Sequence, residues 1–417
     1  MSSSSANEGF FSTQLMGMHQ HKTIRFLNLF TALGLASVGI FSTQAQGKTE
    51  AKPSRKAAVS SFRNGSNSGK PALRAVPGAV KKPRRRARRF YSPWTEPTYS
   101  DPTLGDNVDG EDPVVRRAAV EALGPFNGTA VVADPNTGRV LTIVNQKLAL
   151  KSGFQPCSTI KLVVALAALS EGIIERETVI RLSRRTAMDL TEALAHSNNP
   201  YFASLGTKLG FERVNYYARL LGLGEKAGLN IDEEQAGLFP AVAPANGGVG
   251  ILSSFGEGIS LTPLELGALL SAIANDGTVY YLQYPRSQEE VDRFVPRVKR
   301  RLDLGRWMQE LKPGMMAAVE YGTARKAYYD PYEPVLGKTG TCTENRTHLG
   351  WFGSYNEVGR NKLVVVVLLT GGKPSIGPQA AEIAGSIYRR LSQENFFARN
   401  RTISPAALVS TQSCCSQ

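Results

Sequence analysis

Ser158 and Lys161 stand three residues apart at the head of an apolar stretch, residues 162–169. Residues i and i+3 lie on one face of a helix, so the Lys161 amine can reach the Ser158 hydroxyl. A serine hydroxyl is a weak nucleophile and needs a base within hydrogen-bond reach. Burial lowers the pKa of a lysine because the charged form is disfavoured away from water, and the neutral amine can act as that base. The pair predicts a nucleophilic serine, although Ser-x-x-Lys alone often arises by chance.

Two further motifs follow the first in the chain: Ser197-x-Asn199 and Lys338-Thr339-Gly340-Thr341. Taken singly, neither motif is specific. The segment 197–200 fits a helix-ending turn, since Asn and Pro favour turns. The Lys-Thr-Gly-Thr segment alone fits the entry of a strand. The three motifs in this order, however, are the signature of penicillin-binding proteins and class A β-lactamases.

The chain from residue 113 to 395 resembles the transpeptidase domain of penicillin-binding proteins beyond these motifs. Four further stretches carry the resemblance: residues 228–240, 255–266, 322–324 and 350–353. Glu257 stands where that family usually has glutamine. The resemblance implies a D,D-transpeptidase, or a D,D-carboxypeptidase, that acts on peptidoglycan stem peptides through a serine acyl-enzyme and is acylated by penicillins. It implies neither a metal nor a cofactor.

The resemblance also assigns catalytic roles. Ser158 would attack the carbonyl between two D-alanines of a stem peptide, and Lys161 would take its proton. Ser197 would relay a proton to the leaving amine, because a hydroxyl both donates and accepts hydrogen bonds. Asn199 would bind the substrate amide and hold Lys161. An amine from a second stem peptide would resolve the acyl-enzyme into a crosslink, and water in its place would give carboxypeptidase activity.

The third motif would bind the substrate. Lys338 would lower the pKa of Lys161 by like-charge repulsion and would attract the terminal carboxylate of the stem peptide. The hydroxyls of Thr339 and Thr341 would bind that carboxylate. Gly340 would allow the substrate to approach the strand closely.

The N–H groups of Ser158 and Thr341 would form an oxyanion hole, worth about 3 kcal/mol per donor. Cys157 and Cys342 flank these two residues. If both amides point at one oxygen, the Cα atoms of the two cysteines could come within the ~4.4–6.8 Å range of a disulfide, and export supplies an oxidising compartment. Some serine carbapenemases have a similar pairing beside the same motifs. We hypothesise a Cys157–Cys342 disulfide, with two buried thiols as the alternative.

The elements that would position these residues indicate an α+β fold. Strands are predicted on both sides of a Pro-Asn-Thr-Gly turn in residues 129–144, and again at 348–355 and 362–370. Helices are predicted at 114–123, 158–171, 186–196, 211–221, 262–275, 304–328 with an interruption at Pro313, and 379–391. Thr262 is expected to cap its helix, with Pro263 at the first position. The expected architecture is an antiparallel sheet flanked by helices plus an all-helical subdomain, with the active site between them.

Three segments lie outside the expected domain of residues 113–395. Residues 1–46 contain a polar lead with a basic end and then 16 mostly apolar residues, 26–41. Such a stretch is short for a membrane span and typical of an export signal, either cleaved or retained as an anchor. Residues 47–112 are expected to be a disordered linker and residues 396–417 a loose tail. We therefore expect an exported protein, in the periplasm or on the outer face of the cytoplasmic membrane.

The net charge of +14 is concentrated in the linker, where residues 47–97 contain 14 Lys or Arg and two Glu. The charge therefore says little about the folded part. A solvated tether is the simpler interpretation, and contact with anionic lipid headgroups or wall polymers is the alternative. Nucleic-acid binding is not expected, because the segment follows an export signal.

Two other functions compete with the transpeptidase. A serine β-lactamase would share the acylation residues but must hydrolyse the acyl-enzyme quickly. Class A β-lactamases use a Glu-x-x-Leu-Asn segment for this step, which is missing after Asn199, and class D enzymes usually have an aliphatic residue at the position of Asn199. The second rival is a non-catalytic protein that binds β-lactams or cell wall.

Overall fold

The computed structural model describes residues 101–151 and 153–398. The predictions for the export signal, for most of the basic linker and for residues 399–417 lie outside the described residues. Within the two described ranges, no helix combines the length and the hydropathy that crossing a bilayer would require.

The described chain contains nine strands, eleven α-helices and two 3₁₀ helices. The strands are β1 (Gly128–Ala133), β2 (Val140–Val144), β3 (Ile180–Arg181), β4 (Ala187–Met188), β5 (Thr278–Tyr280), β6 (Val298–Arg301), β7 (Val335–Glu344), β8 (Thr347–Asn356) and β9 (Val364–Thr370). The helices are α1 (Pro113–Leu123), α2 (Gln146–Ala149), α3 (Lys161–Ser170), α4 (Leu190–Ala195), α5 (Asn199–Leu209), α6 (Phe211–Leu220), α7 (Gly248–Phe255), α8 (Pro263–Ala274), α9 (Gln288–Asp292), α10 (Gly305–Glu320) and α11 (Gly377–Gln393). The 3₁₀ helices are Cys157–Ile160 and Arg325–Ala327.

Five strands form an antiparallel sheet in the order β2-β1-β9-β8-β7. Helices cover both faces of the sheet. Side chains alternate along each strand, so neighbouring residues pack against helices on opposite faces. Val365 and Val367 of β9 pack in the cluster that contains α1 and α11, whereas Val364 and Val366 pack in the cluster that contains α3 and α8. The strand β7 lies at the edge of the sheet with one side unpaired by a neighbouring strand.

The helix α3 lies at the centre of the larger core. All its residues from Lys161 to Leu169 are buried, including the lysine. The apolar run makes this possible, since each buried methylene contributes about 0.8 kcal/mol. The fold class predicted from the sequence, an α+β arrangement with an antiparallel sheet and flanking helices, is confirmed.

Local signals placed some elements well. The Thr262 side chain accepts a hydrogen bond from the Glu265 N–H, the Glu265 carboxylate accepts one from the Thr262 N–H, and Pro263 lies in the first turn. These two bonds form a capping box, and α8 begins at Pro263, directly after the predicted N-cap Thr262. The hairpin of β1 and β2 turns at the predicted Pro-Asn-Thr-Gly segment.

The segment 197–200, which taken alone fits a helix-ending turn, ends α4 and also begins a helix: Asn198 Oδ1 accepts a hydrogen bond from the Tyr201 N–H and caps α5, and Pro200 lies in its first turn. Two other local predictions were wrong. The predicted helix 186–196 is α4 alone, preceded by the short strand β4. Pro313 does not interrupt α10, which continues to Glu320. A Cβ on the neighbouring Gly314 would lie 2.8 Å from Leu194, so α10 packs closely against α4 at this point.

The folded region is longer at both ends than the predicted 113–395. Asp106 pairs with Arg116 at 2.8 Å, and buried Glu111 accepts hydrogen bonds from Thr142 and from the Ile143 N–H. Residues 101–112 therefore belong to the domain and not to a disordered linker. At the other end, Phe396 and Phe397 are buried in the smaller cluster. The sequence did not indicate that these residues are folded, because their contacts are made with residues elsewhere in the chain.

Candidate active site

The 3₁₀ helix Cys157–Ile160 presents Ser158 to the amine of the first residue of α3. Lys161 Nζ lies 3.0 Å from Ser158 Oγ. Residues i and i+3 eclipse each other in a 3₁₀ turn, so this start of the helix aligns the two side chains more closely than an α-helical turn would. Ser158 is 9% exposed and Lys161 is fully buried. The nucleophile reaches solvent while the base beneath it does not.

Three further oxygens surround the Lys161 amine. Lys161 Nζ lies 2.7 Å from the Ser197 carbonyl oxygen, 3.1 Å from Ser197 Oγ and 2.6 Å from Asn199 Oδ1. Burial, reinforced by the positive charge of Lys338, lowers the pKa of Lys161 to about 6. The amine is therefore mainly neutral at pH 7, and its lone pair can accept the Ser158 proton. The surrounding acceptors hold it in place for that transfer.

Ser197 reaches Lys161 because it occupies the left-handed position that ends α4. Its φ is +53°, the Asn198 N–H donates to the Ala193 carbonyl at 2.9 Å, and the Ser197 N–H donates to Leu194 at 3.2 Å. These two bonds define a Schellman motif, in which glycine usually takes the position of Ser197. A side chain there costs about 1–2 kcal/mol, so the hydroxyl is retained against the local backbone preference.

One face of β7 runs along the catalytic segment, because side chains on a strand alternate with period two. The paired residues are Lys338 with Ser197, Gly340 with Pro156, Cys342 with Cys157, and Glu344 with Gln155. In this part of the chain, strands were predicted only after the Lys-Thr-Gly-Thr motif, from residue 348 onward, whereas the motif lies inside this ten-residue strand.

Lys338 completes a hydrogen-bonded chain from one lysine to the other. Lys338 Nζ lies 2.8 Å from Ser197 Oγ, which also contacts Lys161 Nζ. Lys338 is fully buried, and this burial lowers its pKa to about 7. The Ser197 hydroxyl therefore lies between two amines whose pKa values are both close to neutrality, which suits proton relay.

Gly340 lets β7 approach the nucleophile segment. A Cβ on Gly340 would lie 2.9 Å from the Pro156 carbonyl oxygen, 3.1 Å from Trp351 Cβ and 3.2 Å from Thr159 Cγ2. The close contact with backbone requires glycine. It also places Thr341, the next residue, beside the segment that contains Ser158. The role of their two N–H groups as an oxyanion hole stays a prediction.

The opposite face of β7 carries the two threonines, with Thr339 buried and Thr341 half-buried. Thr323 Oγ1 lies 2.7 Å from Thr339 Oγ1, and the Thr323 N–H donates to the Ala195 carbonyl at 3.0 Å. Thr323 therefore links the end of α4 to the binding strand. In the sequence, residues 322–324 are only part of the family resemblance, and no role for Thr323 could be predicted. Its contact with Thr339 appears only in the tertiary structure.

The structure joins Cys157 and Cys342 in a disulfide, with Cα atoms 5.6 Å apart. The bridge ties the residue before the nucleophile to the residue after Thr341. We expect it to fix the separation between the catalytic segment and β7.

We predict that reducing this disulfide lowers the free energy of unfolding by about 3–5 kcal/mol. The bridge closes a loop of 185 residues, and long loops lose the most entropy in the unfolded state. Thermal unfolding with and without reductant measures the effect. In a Cys414→Ala/Cys415→Ala double variant, Cys157 and Cys342 are the two cysteines that remain, so alkylation reports on this pair alone. Alkylation of both remaining thiols without reductant, seen by intact mass, would contradict the bridge.

Comparison with known proteins identifies the domain. The family model described as the penicillin binding protein transpeptidase domain matches residues 128–391, and the chain belongs to this family. Stage V sporulation protein D of Bacillus subtilis (strain 168) is 28% identical over 284 residues, which cover 60% of this chain and 43% of that protein. The peptidoglycan D,D-transpeptidase MrdA of Haemophilus influenzae is 24% identical over 361 residues, which cover 65% of this chain and 54% of that protein. This chain thus spans about half the length of these curated relatives.

Solved structures show the same fold. A peptidoglycan glycosyltransferase from Burkholderia ambifaria superposes with a TM-score of 0.57 at 19% identity, covering 69% of this chain and 96% of that chain. The D,D-transpeptidase domain of a peptidoglycan glycosyltransferase from Eggerthella lenta superposes with a TM-score of 0.53 at 18% identity, covering 68% of this chain and 82% of that chain. At these identities the likeness establishes the fold alone.

Proposed function

We propose that this protein is a D,D-transpeptidase that acts on peptidoglycan stem peptides through an acyl-enzyme on Ser158. One observation carries the proposal. A fully buried amine, with its pKa lowered to about 6, lies 3.0 Å from the hydroxyl of a serine that is 9% exposed, and is held by Ser197 and Asn199. This arrangement activates a serine for acyl transfer without a histidine.

Acylation follows from the geometry. Neutral Lys161 takes the Ser158 proton as Oγ attacks the carbonyl between the two D-alanines. The Ser197 hydroxyl, in contact with both lysines, passes a proton to the leaving D-alanine amine. Removing one oxyanion donor costs about 3–4 kcal/mol in related chemistry, so the N–H groups of Ser158 and Thr341 are assigned a large share of the acceleration.

Recognition of the terminal carboxylate is assigned to β7. Lys338 supplies the positive charge from the face of β7 that lies along the catalytic segment. The Thr339 and Thr341 hydroxyls, which start from the opposite face, would donate hydrogen bonds around the unpaired edge of the strand. Thr323 holds the Thr339 hydroxyl in place. Penicillins carry a carboxylate in the corresponding position, so they would enter by the same contacts and acylate Ser158.

The surroundings of the nucleophile favour slow hydrolysis of the acyl-enzyme. Among the described residues, the hydrogen bonds and ion pairs of Ser158 and Lys161 include no carboxylate. Such a carboxylate would activate water in a class A β-lactamase. An acyl-enzyme at this site would therefore outlast that of a class A β-lactamase.

We infer from the sequence that this reaction takes place outside the cytoplasm. The export signal or anchor in residues 1–46 and the basic linker in residues 47–97 support this placement. The linker would keep the domain close to anionic lipid headgroups or wall polymers.

The lifetime of a penicillin adduct tests the proposed function. The purified full-length chain is labelled with a fluorescent penicillin, and the adduct is followed over hours beside Ser158→Ala. We expect a stable adduct on the native chain and none on the variant. An adduct that clears within seconds would instead identify a β-lactamase. No adduct on the native chain would support a non-catalytic wall-binding protein.

A further inference from the structure

The unpaired side of β7 offers a stem peptide an extended strand to bind. A peptide can add to an exposed sheet edge through main-chain hydrogen bonds, with side chains recognised at fixed intervals along the strand. Lys338 lies toward one end of β7 and Glu344 is its last residue. The strand therefore has a cation at one end of the substrate path and a carboxylate at the other.

Glu344 is half-buried and faces the cleft side of the strand. Its Oε2 accepts a hydrogen bond from the Gln155 N–H at 3.3 Å, and Gln155 is fixed by the Trp351 indole, which donates to its carbonyl oxygen at 2.9 Å. Within residues 101–151 and 153–398, Glu344 forms no ion pair and its Oε1 accepts no hydrogen bond. A cationic group could therefore pair with Oε1 without displacing an existing partner.

The spacing along β7 matches a stem peptide. A stem peptide that lies antiparallel to β7, with its terminal carboxylate at Thr339 and Thr341, has its preceding residues nearer to Glu344. Glu344 lies three residues beyond Thr341 on the strand, a distance of about 10 Å. The residue that precedes the two D-alanines lies one to two positions from the scissile carbonyl, and its side chain can span the remaining distance. In wall stem peptides, a residue that carries an amine supplies the crosslinking nucleophile.

We propose that Glu344 determines specificity by binding the ammonium group of the residue that precedes the D-Ala-D-Ala end of the donor peptide. The inference rests on the proposed function and specifies its substrate class. Glu344 pairs with the ammonium, while Lys338 and the threonines bind the carboxylate at the other end. Substrates with an anionic side chain at the same position would be repelled.

Three penicillins that differ in their acyl side chain test this assignment. They are benzylpenicillin, whose side chain is uncharged, and two penicillins with a linear acyl side chain as long as that of the residue it mimics, ending in an ammonium group in one and in a carboxylate in the other. The second-order rate constant for acylation of the full-length chain is measured with each. We expect Glu344→Gln to lower the ratio of the ammonium-probe to the carboxylate-probe rate constant about tenfold, since a partly exposed charge pair contributes a few-fold for each probe. Benzylpenicillin should react with unchanged rate, which also verifies folding of the variant.

Glu257 provides a matched control. Its Oε2 accepts a hydrogen bond from Gln155 Nε2 at 3.2 Å, so it approaches the same glutamine from the loop after α7, outside the register of β7. Glu257→Gln removes an equal charge and should leave the ratio unchanged. Glu344→Lys should reverse the order, so that the carboxylate-ended probe reacts faster.

The outcomes separate the two proposals. A ratio that stays constant in Glu344→Gln, or falls equally in Glu257→Gln, would overturn the role of Glu344 while leaving the acyl-transfer function intact. Failure of benzylpenicillin to acylate the native chain would overturn the proposed function itself.

Discussion

Replacing Lys161 by methionine is expected to lower the rate of Ser158 acylation by penicillin about a thousandfold. A positioned general base contributes roughly 10²–10⁴-fold. Methionine keeps the length of the side chain and fills the buried site but cannot accept a proton. The second-order rate constant for benzylpenicillin adduct formation measures the effect, with near-ultraviolet circular dichroism as the control for folding. A rate within about threefold of the native value would exclude Lys161 as the base.

The pH dependence of acylation identifies the same base independently. Only the neutral amine accepts the proton, so the rate should rise as pH increases through about 6, the lowered pKa of Lys161. Above about 7, Lys338 loses its charge and carboxylate recognition weakens, so the rate of free enzyme with penicillin should pass through a maximum. Lys338→Met removes the neighbouring charge, and the rise should then move to higher pH. A profile without a rise near pH 6 would contradict the role of Lys161.

Two substitutions of Ser197 should lower the acylation rate equally but differ in their effect on the free energy of unfolding. Ser197→Gly and Ser197→Ala both remove the hydroxyl that contacts the two lysines, and both should slow acylation about a hundredfold. The two variants should differ in stability. At a φ of +53°, glycine relieves the backbone cost that alanine retains, so the glycine variant should be about 1 kcal/mol more stable than the alanine variant.

Urea unfolding of the two Ser197 variants measures this difference at one pH. Comparing the variants with each other cancels the loss of the hydroxyl, which affects both equally. If alanine is as stable as glycine, the left-handed backbone at this position carries no cost. If either variant acylates at the native rate, the proton relay does not pass through Ser197.

The chemistry of the site could be predicted from the sequence because few residue types can perform it. The three motifs fixed which side chains would meet, and Lys161 does contact Ser158, Ser197 and Asn199. The helix α8 could be placed because Thr262 and Glu265 cap it through local hydrogen bonds. Elements set by local signals of this kind were predicted nearly to the residue.

Features that depend on distant partners could not be predicted in the same way. The strand β7 contains glycine and lysine, which have low strand propensity, and it is stabilised by pairing with β8. The start of α5 resembled a turn, because Asn and Pro serve equally as helix caps and as turn residues. Thr323 and Glu344 gain significance only from their contacts with Thr339 and Gln155. No local pattern shows such contacts.

Release of D-alanine from a pentapeptide-bearing peptidoglycan precursor, with an amine acceptor present, tests the central claim most directly. The full-length chain should release D-alanine as crosslinked product forms. One equivalent of penicillin should block the reaction, and Ser158→Ala should abolish it. Repeated hydrolysis of penicillin without release of D-alanine would contradict a D,D-transpeptidase that works through a Ser158 acyl-enzyme.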